Sequence, residues 1–414
     1  MTAKTMISVE EAQAKVLEGV NPLGVETADL AECVGRVLAQ NLVAPHDLPP
    51  FDNSAMDGYA LRAEDTVSAT PDAPVHLRIV GESAAGRGYS AGLQPMEAVV
   101  INTGAPMPAG ANTVLPVEQA QIEGDYLRID APIKPGMHVR PKGQDIATGT
   151  PLLEAGTRLG LQHIGLLAAL GLSPLQVYRR PRVALLATGS ELLPYNAPLR
   201  PDAIRDSNSL ILRLWLESRG VGCIFADTVA DDLSLITRWL ERALCEADVL
   251  ILTGGVSVGE RDLVKPALKE LGVETVFWRV NMKPGKPILF AKHYGRTIFG
   301  LPGNPLAVVV GLLVFVLPYL NALEGETQPL PRYVTARLGT SVHKKESRAE
   351  FQTAQLCVMP DGILSVTPTT AQGSSLLGSL AQANAFIYLP PGENTYAEGT
   401  LVKALPIAPM EGCV

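Results

Sequence analysis

The chain has 414 residues, 47% of them hydrophobic and 18% charged, with a formal net charge of −8. Its length predicts about two to four domains. The apolar content excludes intrinsic disorder, and the acidic balance without a long basic run excludes duplex nucleic acid as a partner. An anionic small molecule stays open as a ligand wherever local Lys and Arg oppose the global field. Cys33, Cys223, Cys245, Cys357 and Cys413 are scattered and form no CxxC, so no zinc site is readable and a reducing cytosol is expected. The start, MTAKTMISVEEAQ, carries no apolar signal core.

In chain order, Ser8 is placed to cap a helix over 8–20, with acids in its first turn. Residues 45–140 are rich in Pro and Gly with short runs such as VHLRIV and AVVINTG, which predicts a small β-rich domain. LGLQHIGLLAALG then predicts a return to a helical connector, so 1–44 and 141–180 are expected to form one unit. From Arg182 the texture changes. RVALLAT, VGCIFADTV and DVLILTGG read as strands, alternating with the helical SLILRLWLESRG and LSLITRWLERALCEA. That alternation over 181–328 predicts an α/β domain with a doubly wound, mostly parallel sheet. LAVVVGLLVFVLPYL, 306–320, is too short to span a bilayer and is expected to be a buried helix. Runs such as AEFQTAQLCV and AFIYLP predict a β-barrel-like domain over 329–414.

In an open α/β sheet, ligands bind beyond the carboxyl ends of the strands. The residues that fall there are Glu191; Asp231 and Asp232; Gly254, Gly255, Ser257, Gly259 and Asp262; Lys283 and Lys286; and the GLPGNP segment. Glycines after a strand let backbone N–H groups approach an anion. Two lysines flanking Pro284-Gly285 carry cations on a stiff turn, while Glu191, Asp231 and Asp262 supply hard oxygens suited to Mg²⁺. Together these suggest a magnesium-bridged phosphate or oxyanion site. Singly, each has a plainer reading: GGVSVG as a strand-to-helix turn, KPGKP as a surface turn, Asp231-Asp232 as a helix N-cap, the other acids as solvated loop residues. No P-loop or dinucleotide motif is present. Gly255 to Gly259 also matches the GxSxG elbow of a serine esterase, with Glu324 the one acid considered that precedes His343, although the elbow Ser stands too far past its strand. A further alternative is a non-catalytic scaffold that holds its ligand without turnover.

The segment FDNSAMDGYA, 51–60, gathers Asp52, Asn53, Ser54 and Asp57 where little periodicity is readable. With INTGAPMPAGANTV, GQDI, ATGSELL, LTGGVSVGERD, KPGKP and GLPGNP in this order, the chain resembles the molybdopterin molybdenumtransferase family, which includes bacterial MoeA and the gephyrin E domain. The likeness covers nearly the whole chain and weakens after about residue 330. It implies a cytoplasmic transferase that inserts molybdenum from molybdate into adenylylated molybdopterin, releasing AMP, with Mg²⁺ assisting. The implied partners are those two substrates, a second copy of the chain and the adenylyltransferase that makes the nucleotide substrate; no membrane is implied. It also implies that Asp57 of one subunit meets Glu191, Asp231 and Asp262 of the other as catalytic groups, with Thr103 and Asp145 nearby. Substrate contacts are implied for Arg140, Gly254, Gly255, Ser257, Gly259, Arg279, Lys283, Lys286, Pro302, Gly303 and Ser374. The sequence departs from the pattern at Ser190, where an acid or amide is usual, at Arg279, where a Lys is common, and at Gln144, which replaces a frequent Glu. Asp52 is expected to serve turn geometry only.

Overall fold

The computed structural model describes residues 6–256, 262–408 and, as backbone only, 411–412. Ser8 caps α1 (Val9–Leu17) through a reciprocal pair: its Oγ accepts from Glu11 N–H at 3.0 Å, and Glu11 accepts from Ser8 N–H at 2.8 Å. Val9, Ala12 and Val16 bury one face of that helix. A short antiparallel pair, Val25–Ala28 with Leu175–Tyr178, ties the N-terminal segment to the stretch around α2 (Leu161–Ala169). Between them lies a six-stranded sheet in the order Thr113–Pro116, Gly58–Leu61, Glu97–Ile101, Val75–Ser83, Tyr126–Ile129, Gln121–Glu123.

The α/β region contains β1 (Val183–Thr188), α3 (Asn208–Ser218), β2 (Cys223–Val229), α4 (Leu233–Glu246), β3 (Val249–Thr253), α5 (Val264–Glu270), β4 (Glu274–Trp278), β5 (Leu289–His293) and β6 (Arg296–Leu301). The sheet order is β2-β1-β3-β6-β5-β4. Four strands are parallel, and β5 and β4 join as antiparallel neighbours. Every residue of β1 and β3 is buried, as expected for strands covered on both faces. One face packs on α1, α3 and the long helix α6 (Pro305–Leu323); the other packs on α4 and α5. Phe277, Phe290, Phe299 and Tyr319 cluster at centroid distances of 5.1–6.2 Å on the first face. Helix α6, 19 residues long, holds an 18-residue window of mean hydropathy 2.4, enough by length and composition to cross a membrane, yet 89% of that window is buried inside the protein. It is the core helix read from its sequence.

The edge of the α/β region opposite the strand tips is fastened by one carboxylate. Asp248 accepts from Arg179 at 2.9 and 3.2 Å, from the Arg182 N–H at 2.8 Å and from Arg296 at 3.0 Å. Only 5% of its side chain is exposed.

After α6 the chain builds a closed barrel. Val334–Leu338, Leu364–Pro368, Ala349–Val358, Ala385–Leu389 and Leu401–Pro406 pair in a ring, with Leu401–Pro406 returning to Val334–Leu338. Met282–Lys283, from the segment between β4 and β5, adds to this barrel as a short parallel strand beside Ala349–Glu350. Cys33, Cys223 and Cys245 are free, whereas Cys357 is disulfide-bonded, which the scattered spacing did not announce.

Candidate functional site

A cavity of about 570 Å³ opens at the carboxyl ends of β1 and β3. Its wall includes Thr188, Gly189 and Glu191 after β1, Asp206 and Asn208 at the start of α3, Asp231 before α4, Gly254, Gly255 and Asp262 after β3, and Gly303 and Asn304 before α6. The C-terminal barrel region contributes Ser375 and Leu377. This position follows from topology, since successive parallel strands all deliver their following loops to one edge.

Several polar atoms here form no hydrogen bond among the described residues: Thr188 Oγ1, Asn208 Oδ1 and both Asp262 carboxylate oxygens, all buried. Such groups are uncommon in folded proteins because desolvation goes uncompensated, and their convergence on one cavity suits a ligand that completes them. Lys265 Nζ is 3.0 Å from Asp262 Oδ2, a charge contact whose direction leaves the oxygens without a well-formed hydrogen bond. Burial pushes the Asp262 pKa above the ordinary carboxyl value despite that lysine. Lys265 also lies 3.5 Å from the Trp278 ring centroid, and the Arg279 guanidinium is 4.1 Å from the same ring. Arg279 itself has φ 83°, a costly conformation for a residue with a β-carbon, of the kind that concentrates at functional sites.

The glycines after β3 answer to packing as well as to ligand approach. Gly254 has φ +84°, and a β-carbon there would lie 2.5 Å from the Thr188 carbonyl oxygen; one on Gly255 would meet Thr188 Oγ1 at 2.8 Å. Gly254→Ala is therefore expected to cost at least about 1–2 kcal/mol from the left-handed backbone alone, and to displace the β1 tip. Denaturation followed by tryptophan fluorescence checks this directly, because Trp215, Trp239 and Trp278 all lie in the α/β region.

The wall is more acidic than the mixture of cations, glycine amides and carboxylates expected from sequence. Among the described residues it presents Glu191, Asp206, Asp231 and Asp262 against Arg205 alone. An anion entering it needs a compensating cation. The three expected metal ligands line the same cavity, but no three acidic, His or Cys side chains among the described residues converge closely enough to cage an ion unaided. Mg²⁺ needs only one or two carboxylates when substrate oxygens and water complete its shell, so the donor chemistry fits.

The other expected residues are distributed as follows. Asp232 caps α4, accepting from Leu235 N–H at 3.0 Å, which is the plain reading of that acid; Asp231 instead faces Ser190, whose N–H donates to it at 3.4 Å and whose Oγ accepts from its N–H at 3.2 Å. Ser374 does not itself line the cavity, but its Oγ accepts from Asn304 Nδ2 at 3.1 Å, and Pro302 is buried just before the lining Gly303. Lys283 and Lys286 stand outside the wall: Lys286 is exposed, while Lys283 pairs with Glu350 at 3.3 Å. Asp57 is exposed, and its Oδ1 accepts from the Thr103 N–H at 2.7 Å and hydroxyl at 3.1 Å, which leaves Oδ2 open. Arg140 pairs with Asn53 in a two-residue ladder and Asp145 is exposed, and none of Asp57, Thr103, Arg140 or Asp145 lines the cavity of its own chain. Asp52 accepts from Lys142 N–H at 2.6 Å, a tie to a distant segment rather than the local turn bond expected of it. Ser257 and Gly259 lie outside the described residues. For the esterase alternative, Glu324 is held by Arg158 at 2.8 Å and His343 by Thr395 at 2.6 Å in the barrel region, so both are committed elsewhere.

Asp206 and Asn208 were not singled out from sequence. Asp206 is buried, accepting from Ser209 N–H and the Thr228 hydroxyl, and Asn208 Nδ2 donates to Gly303 O at 2.8 Å and Thr253 Oγ1 at 3.2 Å. The signal available was the polar IRDSNS directly before an apolar helix, which also reads as ordinary capping.

Comparison with known proteins covers the whole length. Residues 7–171 match the family described as "MoeA N-terminal region (domain I and II)", 184–322 "Probable molybdopterin binding domain", and 335–407 "MoeA C-terminal region (domain IV)". Molybdopterin molybdenumtransferase 2 of Mycobacterium tuberculosis is 38% identical over 96% of this chain and 99% of its own length. Molybdopterin molybdenumtransferase of Bacillus subtilis is 33% identical over 99% and 96%. A crystal structure titled as the molybdopterin biosynthesis moea protein of Pyrococcus horikoshii covers 98% of this chain and 100% of its own, with TM-score 0.83 and 31% identity.

Proposed function

This chain belongs to the molybdopterin molybdenumtransferase family, and from that premise we propose that the cavity at the β1 and β3 tips is where it transfers molybdenum. It is a transferase of the final step of molybdenum cofactor biosynthesis. In the family's reaction, adenylylated molybdopterin and molybdate combine and AMP leaves.

The observation that carries the placement is that Thr188, Asn208 and Asp262, whose buried side-chain oxygens form no hydrogen bond among the described residues, line one cavity. In this reading one or two of Asp262, Glu191 and Asp231 would hold Mg²⁺ together with substrate oxygens. A bound ion would supply positive charge opposite the nucleotide phosphate and offset the acidic wall. Asn208, fixed by Gly303 and Thr253, keeps its carbonyl oxygen free as a hydrogen-bond acceptor for the ligand. The exposed turn bearing Lys283 and Lys286 attracts molybdate, with Arg279 at its base.

Asp57 is proposed to act on the cavity of a second copy. Its support is physical. Thr103 fixes one oxygen and points the carboxylate outward, no residue of the small β-rich region lines its own chain's cavity, and a two-fold dimer would pair the two surfaces twice. The protein is further proposed to work in the cytoplasm and to receive its nucleotide substrate from the adenylyltransferase. The test of the reaction is purified protein with adenylylated molybdopterin, molybdate and Mg²⁺. AMP release dependent on molybdate is expected, and ligand bound without any AMP release would favour the scaffold instead.

A further inference from the structure

The turn proposed to attract the oxyanion is fastened to the C-terminal barrel by charge. Lys283 Nζ is 3.3 Å from Glu350 Oε1 and 3.7 Å from Glu346 Oε1. The strand register places Lys283 directly beside Glu350, whose side chain is only 8% exposed. Glu346 is different, with a side chain 39% exposed. Its Oε2 accepts from Arg348 at 2.9 and 3.3 Å, and Arg348 also donates to the Met282 carbonyl at 3.3 Å. The backbone beneath Glu346 is pinned, because the buried Lys344 ammonium donates to its carbonyl at 2.6 Å.

We propose that Glu346 sets the affinity threshold of the oxyanion site: its carboxylate stands 3.7 Å from the Lys283 ammonium that the substrate must win. The inference rests on the reading that the Lys283–Lys286 turn takes the anion. An ammonium has three donors. Two carboxylates face it here, so an incoming tetrahedral anion finds one uncommitted donor and must displace a carboxylate to gain a second. Glu350 is buried and would leave its charge without solvent or partner, which is costly. Glu346 can turn to water at little cost, so it is the group that yields. Holding the lysine with an internal anion sets the affinity threshold for oxyanions, and an abundant weak binder gains occupancy only by out-competing Glu346.

The test is titration of the full-length protein with sodium molybdate, comparing wild type, Glu346→Gln, Glu346→Asp and Lys286→Ala by calorimetry. Removing an exposed carboxylate competitor is expected to tighten molybdate binding by about two- to fivefold, since exposed ion pairs contribute about that factor. Glu346→Asp is expected to bind no more tightly than wild type, and Glu346→Gln to tighten sulfate binding by a similar factor. A merely structural Glu346 would weaken binding when changed, never strengthen it. If Lys286→Ala weakens binding while Glu346→Gln leaves it unchanged or weaker, the role of Glu346 is overturned. If Lys286→Ala leaves molybdate binding unchanged, the underlying placement of the oxyanion falls instead.

Discussion

Asp262→Asn is expected to reduce AMP release by about 10²- to 10³-fold, the cost of removing one preorganised charged group from a reacting centre, while leaving the protein at least as stable as wild type. The two halves of that result have one cause. The Asp262 side chain is only 8% exposed, and burial raises its pKa even though the Lys265 ammonium lies 3.0 Å away. A carboxylate kept in that condition costs the fold free energy, so the uncharged amide of the same shape relieves it. The cost is intelligible if a cation and substrate complete the carboxylate during the reaction. Steady-state AMP release and tryptophan-monitored denaturation on the same sample check both halves. A loss of activity that tracks a loss of fold would assign Asp262 a structural role only.

Asp248→Ala is expected to do the reverse. It should lower stability by about 3–5 kcal/mol, the usual cost of removing one partner from a buried ion pair, without touching the cavity. Arg179, Arg182 and Arg296 would lose their shared acceptor, and the strand bases of β1 and β6 would lose their link. The pH dependence follows from the same contacts. Burial acts to raise the Asp248 pKa, but bonds from Arg179 and the Arg182 N–H, with the charges of both arginines, hold it below the ordinary value. A carboxylate with a lowered folded pKa contributes stability that is fully present above its unfolded value, about 3.9, and is lost as pH falls through the lower folded value. The gap in stability between wild type and Asp248→Ala should therefore be full at pH 5–7 and close as the pH falls below about 4. A gap that stayed constant as the pH fell from 5 through the range in which the Asp248 carboxyl itself titrates would contradict the assignment.

How much of this was legible in the sequence depends on periodicity. The alternation of apolar strands and helices after Arg182 specified the parallel sheet, because buried parallel strands read as unbroken apolar runs and amphipathic helices such as α4 do not. The buried character of α6 was legible from its length and Pro318. The antiparallel addition of β5 and β4 was not, since FWRV and PILFAK carry no mark of direction. The barrel's closure was equally hidden, because it depends on which distant strands pair.

The site was legible where topology alone places a residue. Glu191, Asp231, Gly254, Gly255, Asp262 and Gly303 all reach one cavity because each follows a strand of one sheet. What could not be read was the pairing of side chains across distant segments. Lys283 looked like a free cation beside Pro284 and Gly285, yet the barrel, some sixty residues later, supplies Glu346 and Glu350 to hold it. Asp206 and Asn208 stayed hidden for a related reason: a polar run before a helix satisfies capping and ligand binding alike.

The central claim is that the working site joins the small β-rich region of one subunit to the α/β cavity of another. The most direct measurement mixes two inactive proteins, Asp57→Ala and Asp262→Asn, under conditions in which subunits exchange. Random pairing makes about half the dimers mixed, each with one intact composite site, so activity should recover to about a quarter of wild type. No recovery, with exchange verified by differently tagged subunits, would contradict the account, because it would require Asp57 and Asp262 to act within one chain.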